Sequence, residues 1–461
     1  MEYIIGIILL FTFFGLAYYC IKGHNLMIGF LIITLIWTIL PLGGTLFASQ
    51  AFLESNPVLQ FEGAKGLVGI LNKIYQSAPE GWGTTLVNVC WGAWFGRVLM
   101  ETGIASTLIR KTVELGGDKP LVTITLLNIV TAVIFTAMTG AGPVIAIGVI
   151  VLPILMSLGV PKAIAMFSFM GSVAAGIYLN PVNFAQYRAF FIQPDQMPDF
   201  TLGWYVSHWG LAALLIMLVA TTVLSAVYLK SSKNSHAWAA QTRGTADQKN
   251  APFYTLILPI VPVILKIWLD FSVIGGFVIA GFAALFLCGK MKGTFKENCQ
   301  LVNKLYYDGV VDTAPLVGFL LTLPMFNTVA SYAFPYFKVV LGGIMPRSEL
   351  VVCIAFAALL FMGLFRGPMT LVGCGAATLG VLSNVASFSV PFLYAVFAIP
   401  TITVNIGCCI TQSWVAWGLA YTKVDSKDFL KLSIPNAYLT GVLQYAAAFI
   451  MLAGLGAEWF I

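Results

Sequence analysis

Apolar positions fall along this chain in long blocks, with polar positions gathered between them. The blocks at Tyr3 to Ile21, Leu26 to Phe47, Thr84 to Glu101, Leu202 to Leu229, Phe253 to Leu269, Ser272 to Cys288, Tyr306 to Met325 and Pro435 to Leu455 each suit a helix crossing a hydrocarbon core, which takes about 17 to 25 residues. The remaining blocks come in pairs, each split by a short break. Leu121 to Met138 with Val144 to Leu158, and Val351 to Leu364 with Met369 to Leu382, read as re-entrant hairpins. Ala163 to Leu179 with Phe184 to Ile192, and Val390 to Val404 with Ile406 to Ala420, read as broken helices. The first block lacks a basic leader and a small-residue cleavage site, so it reads as a retained helix. Residues 48–81 mix Glu54, Glu62, Lys65, Lys73 and Glu80 with apolar positions, the pattern of a loop carrying a short interfacial helix. Only 230–251, with Lys230, Lys233, His236, Arg243, Asp247 and Lys249, is clearly hydrophilic.

The breaks repeat. Thr139-Gly140-Ala141-Gly142-Pro143 has a partner in Phe365-Arg366-Gly367-Pro368, with the two Gly-Pro pairs 225 positions apart. The same offset relates Met100 to Met325, Ala105-Ser106 to Ala330-Ser331, Gly148 to Gly373 and Asn180 to Asn405. The chain therefore reads as a duplication: a first repeat at 1–229, a linker at 230–251 and a second repeat at 252–461. With the linker in the cytoplasm, and each hairpin returning to the side it left, most basic residues fall on one face. Lys22, Arg110, Lys111, Lys119, Lys162, Lys290, Lys292, Lys296, Lys304, Lys423, Lys427 and Lys431 join the linker there; Lys65, Lys73, Arg188, Lys266, Lys338 and Arg347 lie outside. This is the bias that sets membrane orientation. It needs five crossings per repeat, an odd number, so the halves must be inverted and both termini outside. The expected fold is an all-α polytopic membrane protein of two inverted repeats, each with about five crossings, a re-entrant hairpin and a broken helix.

Composition agrees. Charged residues make up 9% of the chain, hydrophobic ones 59%, and the mean hydropathy is +0.92. A soluble domain carries about 25% charged residues, so this chain cannot cover a water-facing surface of its size. The eight cysteines form no CxxC motif and read as packing residues. The net charge of +6 sits in loops and marks orientation, not a nucleic-acid partner. No HExxH, GxSxG or paired acidic metal motif occurs, so the sequence predicts neither an enzyme nor a cofactor.

Inverted repeats with discontinuous helices are the mark of secondary transporters. A helix broken at membrane depth exposes N–H groups at one half-helix start and C=O groups at the other half's end, and such groups survive only inside protein or facing a cavity. The N–H ends favour anions. The candidate solute contacts are Thr139, Gly140, Gly142, Gly367 and Thr370 at the hairpin tips, with the amides Asn180, Asn183, Gln186, Asn405 and Gln412 beside them. Arg366 is the sharpest residue. Its repeat counterpart is Ala141, so the shared fold does not require the charge, and its planar fork suits a carboxylate. The alternative for Arg366 is an ion pair with Asp312 or Glu101. Arg97 and Glu101, spaced i, i+4, are expected to satisfy each other. For proton coupling Asp312 comes first and Glu101 second. His208, between Trp204 and Trp209, reads as interfacial.

Three stretches carry a family likeness: Gly96-Arg-Val-Leu-Met-Glu-Thr-Gly103 followed by Lys111 to Lys119, then Thr139-Gly-Ala-Gly-Pro143, then Asn180-Pro-Val-Asn183. In this order they resemble the ion transporter superfamily, and within it the organic-acid permeases of the gluconate and citrate types. The resemblance implies a scaffold domain that forms a homodimer, and a transport domain of hairpins and broken helices, in the cytoplasmic (inner) membrane of a bacterium. It implies proton-coupled symport of a small organic acid by alternating access. The alternatives are a sodium/proton antiporter or a sodium-coupled dicarboxylate transporter of the same superfamily. Neither hairpin carries the Ser-Asn-Thr tip of the dicarboxylate branch, which weakens the case for sodium.

Overall fold

The computed structural model describes the chain except at residues 23, 118, 192–196, 198, 232–249, 342–345, 374, 376–377, 380–381, 383–387 and 456–461. Most of the hydrophilic linker, and Asp195, lie outside the described residues. Helices form within most of the apolar blocks. The first half contains α1 (Glu2–Ile21), α2 (Leu26–Gly44), α3 (Gly83–Glu101), α4 (Ile104–Gly116), α5 (Pro120–Phe135), α6 (Ala141–Ser157), α7 (Lys162–Ile177), α8 (Pro181–Arg188) and α9 (Leu202–Ser231). The second contains α10 (Val261–Leu269), α11 (Val273–Leu287), α12 (Phe295–Leu341), α13 (Glu349–Ala358), α14 (Val390–Ile399), α15 (Ser413–Thr422) and α16 (Ser426–Leu452). Among the described residues, Met27–Phe47 and Leu202–Ser231 are long and apolar enough to cross a membrane as single helices. Two helix pairs pass the same test only together and are bent at a break, as a broken span or a re-entrant loop would be: α7 with α8 at 68°, and α13 with Leu360–Arg366 at 63°.

Side-chain contacts fix how these helices run. The closing helices of the two halves, α9 and α16, are antiparallel. Asn436 donates to the Thr221 hydroxyl at 3.2 Å and Gln444 donates to the Ala213 carbonyl at 2.9 Å, so partner numbers fall in one helix as they rise in the other. The α7 helix is antiparallel to α9, with Phe167 against Tyr228 and Tyr178 against Trp209. The α5 helix runs parallel to α7, because Ser168 donates to Asn128 and Asn180 donates to the Phe135 and Met138 carbonyls. The first hairpin, α5 and α6, therefore starts at the end of the molecule where α9 stops, beside the linker. The second starts with α13, which is antiparallel to α16: Phe356 meets Tyr445 and the Gly454 N–H donates to Glu349. Because α9 and α16 oppose each other, the two hairpins enter from opposite ends and their breaks meet in the middle.

The chain ends follow the same logic. The α2 helix runs parallel to the later part of α12, with Phe30 against Phe326 and the Tyr336 hydroxyl donating to the Pro41 carbonyl. Glu2 accepts from the Ser49 N–H at 2.6 Å. Glu2 and Gly454 thus lie remote from Ser231 and Asn250, the described ends of the linker. Near the middle, the Tyr178 and Thr403 hydroxyls share a hydrogen bond of 2.8 Å, and both also reach the Gln444 side-chain oxygen. Tyr178 and Thr403 are 225 positions apart, the repeat offset, so equivalent residues touch each other at the seam between the halves. Small residues let the helices close. A Cβ at Gly309 would lie 2.9 Å from the Ala93–Trp94 backbone, so α12 crosses α3 at glycine.

Four details depart from the sequence reading. The hairpin breaks lie just ahead of the Gly-Pro pairs: the backbone is irregular at 136–140, and Gly142-Pro143 sits in the first turn of α6, where proline costs little because the first N–H groups have no helical partner. The second break falls at Leu364–Arg366, and its return arm at 369–382 is described only in part. The first-half helix stops at Gly103, whose φ is 76°. Its counterpart Thr328 does not readily take that left-handed conformation, and α12 continues through 47 residues. Residues 48–81 hold several helical segments, among them Gln50–Ser55 and Gly63–Asn72.

The geometry predicts opposite exposure for two sites. Cys299, exposed near the start of α12, and a cysteine replacing Ser55 should react with a membrane-impermeant thiol reagent from opposite faces of sealed vesicles. Reaction of both from one face would overturn the arrangement of α2 and α12.

Candidate functional site

Where the breaks meet there is a cavity of about 270 Å³, the bulk volume of roughly nine waters at ~30 Å³ each. Both hairpins, both broken helices and α12 build it. The first hairpin contributes Thr139, Gly140 and Ala141, and the second Arg366 and Val372. Asn183, Gln186 and Tyr187 come from α8; Asn405, Ile406, Gln412, Ser413 and Trp414 from the second broken helix; Asp312 and Thr313 from α12.

Three helix starts converge here. Gly140 turns the chain with φ 99° and ψ 170°, and α6 begins at the next residue. The α8 helix begins at Pro181 and presents Asn183 in its first turn. The α15 helix begins at Ser413, with Gln412 at its cap. Each start carries partial positive charge. Those of α6 and α15 have no side-chain cap, so they keep open N–H groups, whereas Asn180 caps the start of α8. Arg366 adds a full charge. It and Phe365 both take left-handed backbone, φ 58° and 55°, a conformation costing about 1–2 kcal/mol for a residue with a Cβ. The Phe365 N–H donates to the Cys409 sulfur at 3.1 Å, and Arg366 Nη2 donates to Gln412 Oε1 at 3.3 Å. The second hairpin tip is thereby pinned to the second broken helix.

Several buried polar atoms at the cavity have no hydrogen-bond partner among the described residues. They are both side-chain atoms of Asn405, the Asn183 oxygen and the Trp414 indole nitrogen. Asn405 is only 1% exposed. An unpaired buried polar group costs about 1–3 kcal/mol, so these groups call for a partner, water or solute, inside the cavity.

On the α12 side, Asp312 accepts a two-pronged bond from Arg97, Nε to Oδ2 and Nη2 to Oδ1, each 2.6 Å. The sequence expectation that Arg97 pairs with Glu101 is incorrect: Glu101 pairs with Lys290 at 3.1 Å. Helix-surface spacing permits the i, i+4 pair, but the planar guanidinium finds a better-matched carboxylate across the crossing of α3 and α12, which Gly309 keeps tight. Glu101 does not line this cavity.

Other expected contacts have structural work. Asn180 accepts from the Val182 and Asn183 N–H groups and donates to the Phe135 and Met138 carbonyls. All its bonding capacity goes to capping α8 and closing the open end of α5. Thr370 donates to the Gly363 carbonyl at 2.8 Å. At Gly367 a Cβ would strike the Met362 carbonyl, and at Gly142 it would strike the Asp312 carboxylate. These glycines allow close packing beside the cavity and do not line it. Thr139, Gly140, Asn183, Gln186, Arg366, Asn405, Gln412 and Asp312 do come together. The sequence reading missed Tyr187, Thr313, Ser413 and Trp414; the signal available was proximity, since Tyr187, Thr313 and Ser413 each follow a named candidate directly and Trp414 stands two residues after Gln412.

The two equivalent asparagines should therefore behave differently. Asn180→Ala strands buried partners and should lower stability by about 3 kcal/mol or more, seen as a fall in Tm and abundance. Asn405→Ala should leave Tm nearly unchanged. Equal falls in Tm would contradict the division of roles.

No family model matches this sequence, and no curated protein matches it. The fold is similar to the solved structure of MtrF from Neisseria gonorrhoeae, described as illuminating a class of antimetabolite efflux pumps. The match has a TM-score of 0.63 at 13% identity and covers 94% of this chain and 96% of MtrF. The chain thus has the helical membrane fold of that transporter, hairpins and broken helices included.

Proposed function

We propose that the protein is a secondary active transporter that holds a small organic anion in the central cavity and moves it by alternating access. The observation that carries this reading is the convergence of Arg366, the uncapped N-termini of α6 and α15 and the unpartnered Asn405 at one buried point. Positive charge with open amide and indole groups suits a carboxylate bearing further polar atoms. Two hairpins entering from opposite ends, and antiparallel closing helices, support inverted repeats at 1–229 and 252–461 with the linker at 230–251 between them. The likeness to MtrF supports a transporter over an enzyme or a structural protein.

Asp312 is the proposed proton site. It touches the cavity, and its partner Arg97 lies outside the cavity lining. Protonation would dissolve the pair, so proton and solute occupancy act on one junction. The same junction serves uptake by symport or, as in a protein described as an efflux pump, outward movement. Dimerisation through the scaffold helices is part of the same proposal.

Uptake into proteoliposomes of a panel of labelled organic acids, with and without a pH gradient, tests the function. Concentrative movement of a carboxylate is the expected result; none with any acid would overturn the reading. In the same assay Arg366→Ala should weaken solute affinity roughly 10- to 150-fold, as loss of a charged hydrogen bond worth about 1.5–3 kcal/mol implies. Arg366→Lys should fall between that variant and wild type, because it keeps the charge and loses the fork.

Asp312→Asn should abolish pH-driven accumulation and spare solute exchange, since exchange needs no net change of protonation. Gly142→Ala, which forces a methyl group onto the same carboxylate, should shift accumulation in the same direction. Wild-type accumulation in a folded Asp312→Asn protein would move the proton site elsewhere.

A further inference from the structure

A second, larger cavity of about 770 Å³ lies on the linker side of the central one. Its charged lining is Arg97, Lys290, Lys292 and Lys304 against Glu101 and Asp308, a balance of +1 once Asp312, which pairs with Arg97, is also set against the four cations. Lys290 is matched by Glu101, and the fork of Arg97 is turned onto Asp312. Lys292 and Lys304 make no ion pair among the described residues. The wall is built from the end of α3 and the turn after it, from Asn250 to Pro252, and from the stretch after α11 with the first turns of α12. The charge distribution of the sequence assigns all three segments to the cytoplasmic face.

The two cavities are joined along one helix face. Leu301, Lys304, Leu305 and Asp308 line the outer cavity, while Asp312 and Thr313 line the inner one. These positions recur every three or four residues on α12, so they form a single stripe. Lys304 and Asp312 are about 12 Å apart along it at 1.5 Å per residue. At the boundary sits the Arg97–Asp312 pair, with Arg97 in the outer wall and Asp312 in the inner.

We propose that the outer cavity is an antechamber that captures small organic anions and passes them inward at Arg97, where the solute carboxylate exchanges with Asp312 for the same fork. Arg97 holds a carboxylate with ideal two-pronged geometry, so its chemistry already matches the incoming group. Unmatched lysines in a concave wall focus the field and raise the local anion concentration. The exchange step rests on the reading of the inner cavity as an organic-anion site; the capture step stands without it.

Cys288 lines the antechamber and is half-buried, which gives a direct probe. Purified full-length protein is treated with sulfonatoethyl methanethiosulfonate, an anion, or its trimethylammonium analogue, a cation. Modification of Cys288 is followed by mass spectrometry. Each rate is divided by that for free 2-mercaptoethanol. The expected anion-to-cation ratio is about tenfold at low salt, the lower end of electrostatic focusing, and it should fall toward one at high salt and in a Lys292→Gln/Lys304→Gln variant. Succinate should slow the anionic reagent more than chloride at equal ionic strength. A low-salt ratio at or below one in wild type would overturn capture. Equal slowing by succinate and chloride would overturn the organic-anion assignment.

If Cys288 reacts too slowly to measure, a Leu301→Cys variant gives the same readout from the opposite wall. Arg366→Ala should leave the ratio unchanged, so failure of the inner site and failure of the antechamber remain distinguishable. Asp312→Asn frees Arg97 and should raise the ratio further; an unmoved ratio would overturn the exchange at Arg97.

Discussion

Backbone polar groups at membrane depth must find partners inside the protein, and the rest of this structure depends on how two broken hairpins meet that demand. Each unmet group costs several kcal/mol in hydrocarbon. The first break is closed by one side chain: Asn180 takes the Phe135 and Met138 carbonyls and two N–H groups of α8. The second is closed piecemeal. Cys409 accepts from the Phe365 N–H, Thr370 covers the Gly363 carbonyl, and Thr401 accepts from the Leu371 N–H. Both solutions draw on the neighbouring broken helix, so each hairpin is tied to the helix beside it.

That difference makes the candidate site one-sided between the two halves of the chain. In the first half the asparagine at the repeat position is consumed by structure. In the second half Cys409, Thr370 and Thr401 do the equivalent work, and Asn405 is left with both polar atoms open to the cavity. The change of Ala141 to Arg366 at the hairpin tip belongs to the same asymmetry. A symmetric fold needs neither a charge nor an open amide in one copy alone; under the proposed function, an asymmetric solute would.

Much of the architecture was legible in the sequence, because a membrane imposes length and repetition. The blocks, both hairpins and the bend at Asn180 follow from apolar runs of set length and an offset of 225. The site was legible where its residues break a membrane rule, as Arg366, Asn183, Asn405 and Gln412 do. It was not legible where the answer depends on a partner far along the chain. The pairing of Arg97 with Asp312 spans 215 residues, and no local spacing points to it, whereas the misleading partner Glu101 stands one turn away. The same holds for Asn180 and Asn405, identical in type and register, whose roles separate only when the carbonyls around them are known. Gly103 is a milder case: its left-handed turn ends α3, and only the backbone shows that Thr328 lets α12 run on.

Electroneutrality links these residues. The inner cavity and its boundary hold Arg366, Asp312 and Arg97, so with Asp312 ionised the group carries one net positive charge. Moving uncompensated charge through a low-dielectric region is costly. Under the proposed function, a monoanion bound at Arg366 would offset that charge, and the loaded arrangement would be cheaper to rearrange than the empty one. On the same proposal, protonating Asp312 would free Arg97 and raise the net charge by one, which a second carboxylate on the solute would cancel. The number of protons travelling with the solute would then be tied to the number of carboxylates it carries. Arg97 would make that link, because its fork already holds one carboxylate, Asp312, in the two-pronged geometry a solute carboxylate would take.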